Sequence, residues 1–212
     1  MNLKQFVNIP VTFVMRHAEK QSAANLSITE ELNLNLTTRG KNATKKLGET
    51  INETFPSITI YSSPIKRCLA TAKILSLKNQ IKTNHLLGDP GAFIYNKKLA
   101  AQYFVNNNPS LPYIKILQGK KFAGMRSIKQ GTNLLLNFML SKIEKTVNLY
   151  ITHDSIMALF LAAILPISML EKSTWPNYLE IAIITKEHNN FFCYWRNEKY
   201  PIIKDYADIQ RA

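Results

Sequence analysis

Four short stretches of this 212-residue chain carry side chains that can handle a phosphate group. The first is Arg16-His17, with Glu19 and Lys20 close behind, at the end of the apolar run 11–15. Arginine offers a planar fork of donors that matches phosphate oxygens. A neutral imidazole is a nucleophile at physiological pH. The other stretches are Ser62-Ser63-Pro64-Ile65-Lys66-Arg67, Leu87-Gly88-Asp89-Pro90 and Tyr150-Ile151-Thr152-His153-Asp154-Ser155. Phosphoryl transfer needs donors to neutralise the transferring group, a nucleophile in line with the leaving oxygen, and an acid to protonate that oxygen. Arginines, histidines and carboxylates in these stretches supply all three kinds. Taken singly, Arg16-His17 is equally a solvated strand end.

The elements that must position these residues follow from the pattern around them. Residues 11–15 are β-branched and aromatic, a short buried strand. It delivers Arg16 and His17 at its C-terminal end, where ligands of α/β sheets bind. Residues 17–36 read as a polar loop. Thr37 or Thr38 then caps a helix whose apolar face is Ala43, Leu47 and Ile51 and which Pro56 stops. Residues 57–61 alternate as a strand. Pro64 suits the first turn of the next helix, and Arg67 falls near the positive end of that helix, where an anion meets guanidinium and free backbone N–H groups together. Residues 81–87 are a candidate edge strand, with His85 structural, and 88–91 a turn. Helical spacing runs over 93–104, a loop over 106–109, and an apolar, deeply packed helix over 134–143. Residues 147–152 form the last core strand, which delivers His153 and Asp154 as the first delivers Arg16 and His17. A buried helix begins at Ser155. Strands at 179–185 and 191–195 form a hairpin with His188 exposed in its turn. This order predicts one α/β domain over residues 1–212 with a largely parallel sheet, and a cap or insertion at about 85–130.

Composition narrows the class. Hydrophobic residues make up 46% of the chain, too many for a disordered one. The two cysteines, Cys68 and Cys193, are far apart and offer neither a disulfide framework nor metal-ligand spacing. A reduced, cytoplasmic setting is expected, since no apolar signal segment opens the sequence. The longest apolar stretch, 156–165, is too short to span a bilayer. A formal net charge of +13 favours anionic partners. The lysines are scattered, without a basic block interleaved with aromatics, so no nucleic-acid partner is expected.

In combination the four stretches resemble the histidine phosphatase superfamily, over roughly residues 10 to 165. That family carries Arg-His-Gly after its first strand, then Ser-Ser-Pro-x-x-Arg, then a second catalytic histidine after a late strand. This chain has Ala18 where the family usually has glycine. Leu36-Thr37-Thr38-Arg39-Gly40 is a further weak match. The resemblance implies a three-layer α/β fold like that of the phosphoglycerate mutases, with a largely parallel sheet and helices on both faces. It implies His17 as nucleophile, forming a phosphohistidine, and Arg16, Arg67 and His153 as the phosphate pocket. The second ring nitrogen of His17 is then expected to donate to a backbone carbonyl. Lys20 stands where the acid-phosphatase branch has a phosphate-binding arginine, and can act there as a point charge. His153-Asp154 resembles the same branch and makes Asp154 the general acid. Asp89 is the alternative, by comparison with the mutase-like branch, and Glu19 a third. No metal or other cofactor is implied.

The expected activity is a metal-independent phosphatase acting on phosphomonoesters or on phosphohistidine, with a phosphorylated small molecule or phosphoprotein as partner. A phosphomutase of the same fold is the alternative. Against it, both tryptophans, Trp175 and Trp195, come late, and the tryptophan-containing substrate loop of phosphoglycerate mutases is missing. A catalytically weak phosphate-binding or interaction module is a third reading, which the retained arginines, histidines and acids oppose.

Overall fold

The computed structural model of the protein describes residues 3–22, 26–76, 79–104, 110–144, 146–168, 171 and 173–202. Its centre is β1 (Val11–Arg16), whose first five residues are all buried. Val11, Phe13 and Met15 pack into one core cluster and Val14 into a second, on the opposite face. That is the continuous apolar run of a strand covered on both sides. Around it lie β2 (Ile58–Ser62), β3 (Ile81–Thr83), β4 (Val147–Thr152), β5 (Ile181–Glu187), β6 (Asn190–Trp195) and β7 (Glu198–Pro201). They form a seven-stranded sheet in the order β3-β2-β4-β1-β5-β6-β7. Strands β3, β2, β4 and β1 are parallel; β5 joins β1 antiparallel and continues through β6 and β7 as a meander. This is the mostly parallel, phosphoglycerate mutase-like α/β architecture expected.

Helices α1 (Ile28–Asn33), α2 (Thr38–Thr54), α3 (Lys66–Ser76), α4 (Lys97–Ala101), α5 (Leu111–Leu117), α6 (Ile128–Leu140) and α7 (Asp154–Ile164) complete the described residues. Ile51 of α2 and Cys68, Ala72 and Leu75 of α3 pack with Leu149 and Ile151 of β4. Leu135, Leu136 and Met139 of α6 and most of α7 pack with Tyr150 on the other face. Helix α7 buries eight of its eleven residues, which accounts for its uninterrupted apolar sequence.

Several local expectations are corrected. The supposed loop 17–36 contains α1, which a full capping box between Ser27 and Glu30 nucleates. Pro64 lies just before α3 rather than in its first turn. Only residues 97–101 of the predicted 93–104 helix are helical, because Ile94 instead bridges Met125 and its neighbours bond Gly124. Helix α6 begins at Ile128, six residues before the predicted start, on a capping box made by Ser127 and Gln130. Strand β7 was not anticipated. The loop expected at 106–109 lies outside the described residues.

Helix α2 shows how close packing overrides an apolar pattern. Ala43 is exposed; the buried stripe is Gly40, Thr44, Gly48 and Ile51. A Cβ on Gly48 would lie 3.3 Å from the Leu75 Cα, and one on Gly40 only 2.4 Å from the Glu19 carbonyl oxygen. Small residues face inward because backbone approaches backbone. Gly40→Ala is therefore expected to destabilise the protein by about 1–3 kcal/mol, the usual range for overpacking, although alanine is the better helix former. A urea midpoint unchanged or raised in that variant would show that the Glu19 segment yields freely.

Candidate active site

Strand register assembles the site. Arg16 pairs with Thr152 between β1 and β4, and Ser62 with Ile151 between β2 and β4. One residue further along each parallel strand stand His17, His153 and Ser63. The ladder reaches that far: the His17 N–H donates to the Thr152 carbonyl at 3.0 Å and the Ser63 N–H to the Ile151 carbonyl at 3.0 Å. Helix α3 starts three residues after Ser63 and brings in Arg67 from its first turn. Residues nearly 140 positions apart in sequence thus meet at one sheet edge.

Arg67 is buried at 8% exposure and makes three contacts. Its Nε donates to His17 Nε2 at 3.0 Å, one terminal nitrogen donates to His153 Nδ1 at 3.1 Å, and the other to the Glu31 carbonyl at 3.2 Å. An arginine only donates, so both facing ring nitrogens present lone pairs. The opposite nitrogens then carry the protons: His17 Nδ1 donates to the Ala18 carbonyl at 2.7 Å, and His153 Nε2 to the Ser63 hydroxyl at 3.0 Å. Burial, with Arg67 beside it, lowers the His17 pKa from 6.5 to about 3. His153 is pushed well below the usual histidine range by burial first and by Arg67 second.

Arg16 lines the next side of the site. One terminal nitrogen reaches the Asp154 carboxylate at 2.9 Å, and the other donates to the Pro176 carbonyl at 2.7 Å. The Tyr178 ring stacks on its guanidinium at 3.9 Å and lies 5.7 Å from the His17 ring. Asp154 also accepts the Ser155 N–H at 2.8 Å, and its charge acts on His17. Lys20 faces Glu31 of α1 at 2.8 Å. Asp89 is paired with Lys97, and its carbonyl accepts from His85 Nδ1 at 2.6 Å. The loop carrying Asp89 is clamped to the strand ends, where Thr152 Oγ donates to the Leu87 carbonyl at 2.7 Å. Gly88 adopts a φ of +154°, and a Cβ there would lie 2.6 Å from His153 Nε2. Glycine is thus required beside the second histidine.

Seven of the eight sequence-predicted residues converge: Arg16, His17, Lys20, Arg67, Asp89, His153 and Asp154 line one cavity of about 510 Å³. Glu19 does not join them. Its carboxylate accepts from the Thr37 hydroxyl and from Arg39 at the start of α2. The sequence reading missed Tyr178, Glu31 and Thr71, whose hydroxyl accepts the Ala18 N–H at 3.1 Å. Glu31 was signalled by the Ser27–Glu30 capping box; nothing in the sequence marked Tyr178. Among the described residues no group of three or more His, Cys, Asp or Glu side chains could hold a metal ion.

The description of the histidine phosphatase superfamily (branch 1) matches residues 12–88, which bears out the resemblance. Similar solved structures add the overall shape. YhfR of Bacillus stearothermophilus superposes with a TM-score of 0.58 at 18% identity, over 89% of this chain and 96% of that one. A phosphoserine phosphatase variant of Entamoeba histolytica, in complex with phosphoserine, gives 0.56 at 15%, over 90% and 94%. The chain has the histidine phosphatase fold. A third similar structure, the protein histidine phosphatase SixA complexed with tungstate, gives 0.53 at 14%, over 90% and 96%. No curated protein matches the sequence. No described helix is long and apolar enough to cross a membrane.

The buried histidines carry a consequence for stability. Between pH 6.5 and about 3 the unfolded chain protonates at position 17 and the folded chain does not. The unfolded state then binds more protons, so stability falls as pH falls through that window and is fully present above it. Thermal melts in a pH series are expected to show a shallower decline between pH 7 and 4 for His17→Asn than for the wild type. Parallel curves would mean that His17 takes up its proton in the folded state.

Proposed function

We propose that this protein is a phosphatase that hydrolyses phosphomonoesters, or phosphohistidine, through a covalent phosphohistidine on His17. The observation that carries this reading is the orientation of the His17 ring: Nδ1–H is tied to the Ala18 carbonyl, while the Nε2 lone pair faces the buried guanidinium of Arg67. That is the tautomer an attacking imidazole needs.

The reaction then runs as two displacements. Phosphate oxygens are stronger acceptors than imidazole nitrogens, so an arriving phosphate takes the Arg67 donors and frees Nε2. Arg16 and Arg67 neutralise the transferring group, Lys20 adds charge nearby, and His153 donates to it from Nδ1 once the phosphate has drawn Arg67 off that nitrogen and a proton has moved onto it. As the phosphate takes Arg16 from the Asp154 carboxylate, that carboxylate takes up a proton from solvent. Nε2 then attacks phosphorus, the bond to the ester oxygen breaks, and its electron pair leaves with that oxygen, which takes the proton from Asp154. Water then gives a proton to the Asp154 carboxylate and attacks phosphorus. The phosphorus–nitrogen bond breaks, the pair returns to Nε2, and inorganic phosphate leaves. The binding of phosphoserine and tungstate by proteins of this fold supports an oxyanion at this place.

Two measurements test the roles. His17→Ala is expected to abolish release of phosphate from aryl phosphates, and acid–base stability of a trapped phosphoenzyme should be that of a phosphohistidine, acid-labile and base-stable. Turnover near the wild-type rate in His17→Ala would remove the nucleophile. For the acid, Asp154→Asn should slow alkyl phosphates by at least 10²-fold while nitrophenyl phosphate, whose leaving group scarcely needs a proton, is far less affected. If Asp89→Asn instead shows that selective loss, the proton comes from the 84–91 loop.

A further inference from the structure

The cavity that holds His17 has two chemically different ends. One is the cluster of Arg16, Arg67 and the two histidines. The other is a wall of Ile94, Ala100, Phe104, Tyr113 and Ile156. Phe104 and Tyr113 pack edge to face with ring centroids 5.5 Å apart, and Tyr113 and Ile156 are buried. Tyr178, over a third exposed, adds an aromatic face beside the nucleophile.

The charged residues that line the cavity beyond the histidine cluster are already satisfied by one another. Lys20 pairs with Glu31, Lys97 with Asp89, and Asp154 with Arg16. Among the described residues, a second charge on the ligand would lose water against the apolar wall without gaining an unpaired countercharge, and a row of hydroxyls would find there only the scattered hydroxyls of Ser110, Tyr113 and Ser155. An apolar group there gains in proportion to the surface it buries. The volume of about 510 Å³ is in the range of roughly 300–1,000 Å³ that takes whole drug-sized ligands, well beyond what phosphate alone fills.

Resting on the phosphatase reading above, we propose that the alcohol esterified to the phosphate is bulky, uncharged and apolar or aromatic, seated against Ile94, Ala100, Phe104, Tyr113 and Ile156. The phosphate is held at the strand ends and the ester group lies along this wall. Small polar or doubly charged phosphates are poor ligands of the same site.

Alkylphosphonates test this without turnover, because their carbon–phosphorus bond is not hydrolysed. Calorimetry on the full chain would compare methylphosphonate, 2-phenylethylphosphonate and 2-carboxyethylphosphonate. The phenylethyl compound is expected to bind at least tenfold more tightly than the methyl one, and the carboxyethyl compound no more tightly than methyl. Ala101→Asp places a carboxylate on the exposed side of α4 where it lines the cavity, and should reduce the phenylethyl-to-methyl ratio to threefold or less. Equal affinities for methyl and phenylethyl, or tightest binding of the carboxyethyl compound, overturns the proposal. Turnover of 2-phenylethyl phosphate by the wild type and His17→Ala is read separately. A preserved phosphonate preference without His17-dependent phosphate release defeats the phosphatase reading alone. His17-dependent release without phosphonate discrimination defeats the apolar-alcohol inference alone.

Discussion

A buried guanidinium between two imidazoles governs this site. Arg67 has little water around it, and the groups it reaches with its fork are His17, His153 and a backbone carbonyl. A desolvated cation is tolerable only where acceptors surround it. Both rings must therefore stay neutral and turn their lone pairs inward, and the backbone and Ser63 hold the opposite edges of the rings. Protonation state, tautomer and ring orientation at two residues thus follow from one side chain. Burial of the thiol beside this cluster pushes Cys68 up to about 12, which keeps it a thiol and leaves the histidines as the nucleophilic groups in the cluster.

That arrangement depends on parallel strands ending level. β4 pairs Thr152 with Arg16 of β1 and Ile151 with Ser62 of β2, so the residues that follow these strands share one edge. Shifting any of these strands by one residue would exchange its two faces, turning each apolar row toward the other core and moving the polar end out of line with its neighbours. The two hydrophobic cores above and below the sheet oppose such a shift. The same packing that stabilises the fold therefore fixes the distance between His17 and His153, whose rings lie 5.3 Å apart.

The sequence showed the parts of the molecule governed by local pattern. Apolar runs ending in Arg16-His17 and His153-Asp154 located β1 and β4 and predicted their common edge. The Ser62-Ser63-Pro64 lead-in and a place near the start of the helix that follows pointed to Arg67. What escaped were features set by approach between distant segments. The buried face of α2 is made by Gly40 and Gly48, which no apolar periodicity reveals. Tyr178 reaches the site because β5 runs back beside β1, and the Leu179 N–H is held by the Arg16 carbonyl at 3.2 Å. Residues 93–96 and 124–126 resisted reading because their backbone bonds go to one another across a loop, as in the Ile94–Met125 bridge, rather than into a periodic element.

The two ends of the cavity rest on different foundations. The anion-facing side chains project from strand ends and from the first turn of α3, all embedded in the sheet and its cores. Of the apolar wall, Ala100 and Tyr113 come from α4 and α5, five and seven residues long, and Ile94 and Phe104 from the segments on either side of α4, all outside the sheet. Substitution among wall residues therefore reshapes the space around a ligand while the register beneath the histidines stays as it is. In evolutionary terms the two halves can drift at different rates. Lineages sharing this sheet are free to diverge in what they accept long before they diverge in what they do to it.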